Sequence, residues 1–544
     1  MDNKDWWRGA VIYQIYPRSF MDSNGDGIGD LPGITARLDH VAGLGVDAIW
    51  VSPFFRSPMK DFGYDVADYR AVDPIFGTLA DFDALLARAH ALGIKVIIDQ
   101  VLSHTSDQHA WFAASRASRD NPLADWYVWA DPRPDGTPPN NWLSVFGGPA
   151  WQWDSRRRQY YLHSFLVEQP DLNFHCPLVQ EALLEEVRFW CERGVDGFRF
   201  DACNHQFHDA QLRDNPPADG GLVSTVRADN PYAMQKHLHD KSQPENLRFL
   251  ERLRALLDSY GAVGLGEVGD EDAPPVMARY TERGKRLHLA YSFSLLTGEH
   301  SASHLRTQVE ALDRALAKTD GWGCWAVSNH DVPRVASRWN GNGIEDTRRD
   351  RLWLSLLLSL RGSASVYQGE ELGLPEAEVP FELLQDPYGR AFWPEFKGRD
   401  GARTPIPWAT DAHHGGFTSG TPWLPVSEMH LPLAIDRQAG DPASMLNFSR
   451  ALLRWRRGQP LLRTGGMRFI DAPGVPDTVL WLERHSGDAS LHGVFNLWGE
   501  PVPLALPRAL APAEGAPFAD TRIEGGTLTL PPYGVFFGVP LDAA

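Results

Sequence analysis

Eight short apolar runs alternate with amphipathic stretches along this chain, and that alternation restricts the fold to parallel sheet wrapped in helices. The runs are Val11–Tyr16, Ala48–Val51, Lys95–Asp99, Gly197–Asp201, Val263–Glu267, Leu287–Ser292, Cys324–Ser328 and Ala364–Tyr367. Helices are predicted between them, over Ile34–Leu44, Glu245–Tyr260, Ser303–Ala317 and Thr347–Leu360. Thr78 with Asp81 forms a candidate capping box before a face of Phe82, Leu85, Leu86 and Ala89, and that helix should stop near Gly93. Pro177 opens another helix, with Leu183, Leu184, Val187 and Trp190 on its buried face, closed by Gly194. Eight βα units that close on themselves form a TIM (β/α)8 barrel, with functional groups at the C-terminal ends of the strands. On periodicity alone a doubly wound open sheet stays open as an alternative.

The alternation assigns 1–104 and 172–460 to the barrel. It is interrupted after the third strand, where 105–171 is rich in Trp, Pro, Asn, Asp and Gly and lacks sustained helical periodicity, as in a loop-rich inserted subdomain. From 461 to 544, short alternating segments such as Val479–Leu482 and Gly493–Leu497 are separated by Pro and Gly turns, predicting a C-terminal antiparallel β domain, a sandwich. The longest apolar stretch, Leu352–Leu360, falls well short of the ~20 residues of a membrane span and reads as a buried helix.

Charge narrows the partners. With 52 Lys and Arg against 70 Asp and Glu, the formal net charge is −18, which disfavours nucleic acid and anionic membranes and suits neutral ligands such as sugars. Cys176, Cys191, Cys203 and Cys324 show no disulfide or zinc spacing and are expected to be free. Met1–Ala10 carries no export signal, so the expected location is cytoplasmic.

Chemistry concentrates at the strand ends. Asp99 ends the third strand, with His104 following; Arg199 and Asp201 end the fourth; Glu267 ends the fifth; Asn329, His330 and Asp331 follow the seventh. Two carboxylates flanking a glycosidic bond can perform retaining hydrolysis, one attacking the anomeric carbon and the other protonating the leaving oxygen. Arg199 lies two residues before Asp201 and hence on the same strand face, where its charge favours the ionised carboxylate. Glycines and apolar residues around Glu267 favour a raised pKa, as a general acid needs.

Four ordered segments, Asp99–His104, Gly197–Asp201, Gly266–Val268 and Ser328–Asp331, resemble the four sequence regions of glycoside hydrolase family 13, the α-amylase family. Gln169-Pro170-Asp171-Leu172-Asn173 resembles the further signature of its α-glucosidase and oligo-1,6-glucosidase branch, and Tyr367-Gln368-Gly369-Glu370-Glu371 another landmark. The resemblance implies Asp201 as nucleophile, Glu267 as acid/base and Asp331 as a third carboxylate that holds the sugar. His104 and His330 would donate to the same glucose, and Arg199 would orient Asp201. Tyr64 is similar to the aromatic platform under the terminal glucose, and Asp61 with Arg399 to the ion pair that closes the pocket of exo-acting members. Ala202, directly after the nucleophile, matches members that prefer α-1,4 over α-1,6 bonds.

The implied activity is a retaining, exo-acting α-glucosidase that takes small α-1,4-glucosides such as maltose as donors. Water, a sugar or an alcohol would be the acceptor, and no organic cofactor is needed. A predominantly glucosyl-transferring enzyme, or one preferring sucrose or isomaltose, is the alternative. The residues Cys203–Phe207, the loop running to Ala228 and the pair Val332-Pro333 would decide between water and another acceptor. A non-catalytic carbohydrate-binding relative would lack part of the acid triad, which this chain keeps.

Asp22-Ser23-Asn24-Gly25-Asp26-Gly27-Ile28-Gly29-Asp30 alternates oxygen ligands with glycines, as an EF-hand-like loop does. It lacks a bidentate Glu at the twelfth place. The expected ligands of one structural Ca2+ or Mg2+ are therefore Asp22, Asn24, Asp26, the Ile28 carbonyl and Asp30, an ion the resemblance also implies. Ser103 stands where many family members carry a calcium-binding Asn, so a second ion is not expected.

Overall fold

Strand edges that find a partner on both sides leave no open edge, and all eight predicted strands do so in the computed structural model, which describes residues 4–218, 226, 230–340, 347–518 and 520–541. Residues 1–3 and 542–544, the ends of the predicted first and last domains, lie outside the described residues. The strands are Val11–Ile15, Ala48–Val51, Lys95–Val101, Gly197–Asp201, Val263–Glu267, Leu289–Tyr291, Gly323–Trp325 and Ser363–Tyr367. Each is hydrogen-bonded to its sequence neighbours, and the eighth returns parallel to the first, pairing Val11 with Ala364. The result is a TIM barrel rather than an open sheet.

Period-two alternation sorts the side chains. Ile12, Trp50, Ile97, Leu265 and Leu289 fill the barrel interior, while Tyr13, Ile49, Val96, Ile98, Phe198 and Phe200 face outward and pack against the helices. With Phe198 and Phe200 outside, Arg199 and Asp201 must point in. The fifth strand follows the same rule. A Cβ on outward-facing Gly266 would stand 2.5 Å from Leu287 Cδ1 and 3.0 Å from Cys203 Sγ, so only glycine lets the strand lie close enough to present Glu267.

The helices start where local chemistry predicts. Thr78 caps Leu79–Ala91 in a complete capping box with Asp81, and Gly93 sits just beyond its end at a φ of +74°. The first helix begins earlier than its apolar periodicity suggested, at Leu31–Leu44, because Asp30 accepts from the amide of Gly33 and caps it. A helix absent from the sequence reading, Ala273–Tyr280, connects the fifth and sixth strands; with two prolines in its first turn and eight residues it carries little periodic signal.

Between the third and fourth strands, the short strands Trp129–Ala130, Gln159–Leu162 and Trp151–Asp154 form a small sheet. That stretch also holds one short helix that its periodicity does not announce, Ala110–Ala117, capped by the His109 side chain. After the barrel, Gly466–Phe469, Val479–Ser486, Ala489–Asn496, Val535–Pro540 and Leu510–Pro512 make one antiparallel sheet. Val502–Ala505, Thr527–Leu530 and Arg522–Glu524 make a second, and Trp481, Val494, Leu504, Leu528 and Phe536 pack in one apolar cluster. Arg484 joins this region to the barrel, its guanidinium donating to the carbonyls of Ser359, Leu360, Leu462, Gly465 and Gly466. All four cysteines are free. Among the described residues no helix is long and apolar enough to cross a membrane.

Candidate active site

At the C-terminal end of the barrel lies a cavity of about 180 Å3, lined by Asp61, Tyr64, His104, Asp201, Glu267, Asp331 and Arg399 among others. Seven of the nine residues singled out for catalysis or sugar binding therefore meet at one place. The other two, Arg199 and His330, stand directly behind its wall.

Arg199 is the hub. Its Nη1 donates to Asp201 at 2.6 Å and to both oxygens of Asp99 at 2.9 and 3.1 Å, and its Nη2 donates to Glu267. One guanidinium thus holds Asp201 and Glu267 through its two terminal nitrogens. The guanidinium also stacks 4.9 Å from the Trp50 ring and is 1% exposed, a charge kept in the interior only by its anionic partners.

Burial, more than the neighbouring charges, sets the protonation of this group. It pushes Glu267 up to about 8, against the pull of Arg199 and of the Ala202 amide that donates to Oε2 at 2.8 Å. It pushes Asp201 up to about 7 as well, so Arg199 restrains that rise without reversing it, contrary to the expectation that its charge would dominate. Asp331 is moved the other way. Burial disfavours its charge, but the guanidiniums of Arg399 and Arg403, at 3.2 and 2.9 Å, hold it well below the usual carboxylate range.

His330 is buried between two residues of the cavity wall, its Nε2 3.4 Å from Asp331 Oδ2. Gln14 Nε2 lies 2.8 Å from its Nδ1, its Nε2 lies 2.7 Å from Tyr64 Oη, and its ring stacks on Tyr64 at 5.4 Å and 4°. Burial pushes it down to about 3, so it is neutral and serves to hold the Tyr64 ring. His104 lines the cavity, with Nδ1 3.0 Å from Ser103 Oγ and Nε2 3.0 Å from the Tyr64 carbonyl.

Opposite charges meet in the cavity wall. Arg399 Nη2 donates to Asp61 at 2.9 Å and to Asp386 at 2.8 Å, and Gln169 Nε2 adds a 3.2 Å bond to Asp61. Arg399 also lies 5.1 Å from the Phe146 ring. Asp386 and Arg403 escaped the sequence reading. Both lie in the non-periodic stretch after the eighth strand, where nothing in the spacing links them to Arg399.

Of the expected acceptor-side residues, Asn204, His205 and Val226 line the cavity. Residues 219–225 and 227–229 of the loop running to Ala228 lie outside the described residues.

The 22–30 loop folds as a chain of side-chain turns. Asp22 accepts from the amides of Asn24, Gly25 and Gly27, Asn24 from Asp26, and Asp26 from Ile28, while Gly25 and Gly27 take φ of +83° and +92°. Asp30 divides its oxygens between Gly33 and Ser23. Among the described residues no three His, Cys, Asp or Glu side chains converge as ligands.

A family model described as the alpha-amylase catalytic domain matches residues 14–465. The chain is 54% identical over 540 residues to a probable alpha-glucosidase of Rhizobium meliloti (strain 1021), covering 98% of this chain and 97% of that one. It is 36% identical to an oligo-1,6-glucosidase of Heyndrickxia coagulans, over 90% of this chain and 91% of the other. Among solved structures, the alpha-glucosyl transfer enzyme XgtA superposes with a TM-score of 0.95 at 58% identity, covering 98% and 99% of the two chains. The trehalulose synthase MutB of Pseudomonas mesoacidophila MX-45 does so with a TM-score of 0.88 at 33% identity over the same shares.

Proposed function

The chain belongs to the α-amylase family of glycoside hydrolases, in its α-glucosidase and α-glucosyl-transferring branch, and from that premise we propose that it releases single glucose units from the non-reducing end of small α-1,4-glucosides such as maltose and passes part of them to sugar or alcohol acceptors. The observation that supports this reading is the ion pair of Asp61 with Arg399 in the cavity wall, Arg399 held from behind by Asp386, as a pocket closed beyond the terminal glucose would need.

In the proposed reaction, the ionised Asp201 attacks the anomeric carbon while Glu267 gives its proton to the glycosidic oxygen, and the aglycone leaves as an alcohol. The glucosyl ester on Asp201 is then attacked by water or another hydroxyl. Glu267, now a carboxylate, takes the proton from that hydroxyl, and the ester bond breaks to restore Asp201. Asp331, ionised beside two guanidiniums, accepts from glucose hydroxyls; His104 and Tyr64 line the same glucose; His330 and Arg199 hold Tyr64 and Asp201 from behind.

Preference for α-1,4 bonds is supported by Ala202, the residue directly after the nucleophile. Initial rates on maltose, isomaltose, sucrose, trehalose and maltotriose, with products resolved, test the reading. Maltose is expected to lead and maltotriose to yield glucose and maltose; isomaltose or sucrose leading would overturn the bond preference. Ala202→Val is expected to raise the isomaltose-to-maltose ratio.

We also assign the 22–30 loop to one structural Ca2+ or Mg2+, held by Asp22, Asn24, Asp26, the Ile28 carbonyl and Asp30. Hard oxygen donors at alternate positions and glycines at positive φ support it. Chelator treatment is expected to lower the melting temperature by several degrees, and re-addition of Ca2+ to restore it; an unchanged melting temperature refutes the assignment. A cytoplasmic location is supported by the four free thiols.

A further inference from the structure

The two carboxylates of the proposed reaction stand on neighbouring strands whose shared ladder stops one residue short of them. The fourth and fifth strands pair from Gly197 with Val263 to Phe200 with Gly266, and the register ends there. On their outer sides, Asp201 is paired with Val101 of the third strand and Glu267 with Tyr291 of the sixth. Each carboxylate is thus tied to an outer neighbour, while the ladder does not fix one against the other. Past the end of a ladder, backbone groups need other partners.

The three residues after Asp201 supply them. Ala202 takes the left-handed conformation, φ 40° and ψ 41°, and from that turn each successive residue donates to the fifth strand or its continuation. The Ala202 amide donates to Glu267 Oε2 at 2.8 Å, the Cys203 thiol to the Glu267 carbonyl at 3.0 Å, and Asn204 Nδ2 to the Gly269 carbonyl at 2.9 Å. Asn204 Oδ1 also accepts from the Gly269 amide at 3.4 Å, so its carboxamide meets both backbone groups of that residue. The turn is braced from outside. Asn246 Nδ2 donates to the Cys203 carbonyl at 2.8 Å and to the Tyr280 hydroxyl at 2.9 Å, and the Ser242 amide donates to the Asn204 carbonyl at 2.6 Å. Cys203 is fully buried and is not among the residues lining the cavity. A cysteine that only filled the core as a small apolar side chain would need no bond to the peptide of Glu267.

We propose that Cys203 and Asn204 are positioning residues for the acid/base: their bonds to Glu267 and Gly269 replace the missing rung between the two strands and set where the Glu267 carboxyl stands relative to Asp201. The proposal rests on the α-glucosidase reading above. Arg199 joins the carboxyl groups themselves, whereas this clamp fixes the backbone that carries one of them. Attack by Asp201 depends on its own strand, which the third strand holds. Delivery of a proton to the glycosidic oxygen depends on Glu267 standing at one place, and a loosened clamp costs that step.

Two donors separate positioning from packing. The glucose leaving maltose needs a proton from Glu267; fluoride leaving α-glucosyl fluoride does not. Cys203→Ala is expected to lower kcat/KM on maltose about fivefold and Asn204→Ala about tenfold, while the value on α-glucosyl fluoride stays within about twofold of wild type. Cys203→Ser keeps a donor of similar size and is expected to recover most of the maltose rate lost in Cys203→Ala. Because Cys203 lies away from the cavity, its variants remove no contact with the leaving sugar, and they decide the matter should Asn204→Ala fail to fold. Equal losses on both donors, an unchanged maltose rate in Cys203→Ala, or no recovery in Cys203→Ser overturns the clamp with the glucosidase reading intact. A wild-type enzyme inactive on both donors removes the glucosidase reading, and the clamp with it.

Discussion

A single guanidinium joins three carboxylates here, and their protonation follows from where that guanidinium sits. Burial lifts both Asp201 and Glu267 against the pull of that guanidinium, and the proposed reaction needs the first ionised and the second protonated. The activity profile on maltose is therefore expected to be a bell, its acid limb falling as Asp201 takes up a proton and its alkaline limb as Glu267 loses one. Glu267→Gln should erase the alkaline limb and reduce maltose turnover by about two to four orders of magnitude, with a much smaller loss on α-glucosyl fluoride, whose leaving group needs no proton. Arg399→Ala belongs to the same scale. It would leave Asp61 and Asp386 buried without their counter-charge, a loss of about 3–5 kcal/mol by the usual cost of breaking a buried pair. Urea denaturation measures that loss.

At the scale of single elements, the helix Leu79–Ala91 offers the cleanest test, because its start depends on one hydroxyl. Thr78→Ala removes the bond to the Asp81 amide and is expected to destabilise by about 1 kcal/mol, read from the urea midpoint, with activity unchanged. This helix was legible from the chain because cap, apolar face and stopping glycine all agree over a short span. The strands were legible for a similar reason: each is a compact apolar run whose period-two pattern puts Arg199 and Asp201, or Leu265 and Glu267, on one side. Ala110–Ala117 and Ala273–Tyr280 were not, since eight residues give barely two turns in which a face can repeat. Asp386 and Arg403 were invisible for a different reason. Their roles depend on contacts with Asp331 and Arg399, made by a loop whose path no local pattern records. His330 was found from its motif, but its stacking on Tyr64 was not, because a motif gives a residue's address without its packing partners.

Over the whole molecule, buried titratable groups predict how stability depends on pH. Asp171 and Glu376 are pushed up to about 7, and Glu267 and Glu370 to about 8, each chiefly by burial. For these the folded state favours the proton, so their contribution is full below the unfolded value of about 4 and is lost as pH rises through 7 to 8. His205, His208, His330 and His430 are pushed down to about 3, again by burial, so their contribution is full above the unfolded value of about 6.5 and is lost as pH falls toward 3. The melting temperature is expected to peak between about pH 4.5 and 6.5 and to decline on both sides. A scan of melting temperature against pH, with no substrate present, checks it. The peak falls on the acid side of the activity optimum, so the two profiles should not coincide. The Arg484 guanidinium, spread over five carbonyls between the barrel helix and the C-terminal sheets, makes a second whole-molecule prediction. Arg484→Met should lower the melting temperature and speed proteolysis beyond residue 465, since those carbonyls would lose their donor.

The shut end at Asp61 and Arg399 also fixes an order of traffic. On the proposed exo reading everything enters and leaves by one mouth, so the departing alcohol must clear the same doorway that the next nucleophile uses. A long chain cannot be threaded through and clipped repeatedly; each cut requires release and a fresh entry. As donor concentration rises, the doorway is increasingly occupied by sugar when the glucosyl ester is waiting, and the queue, rather than the chemistry of the ester, decides how much glucose ends in water.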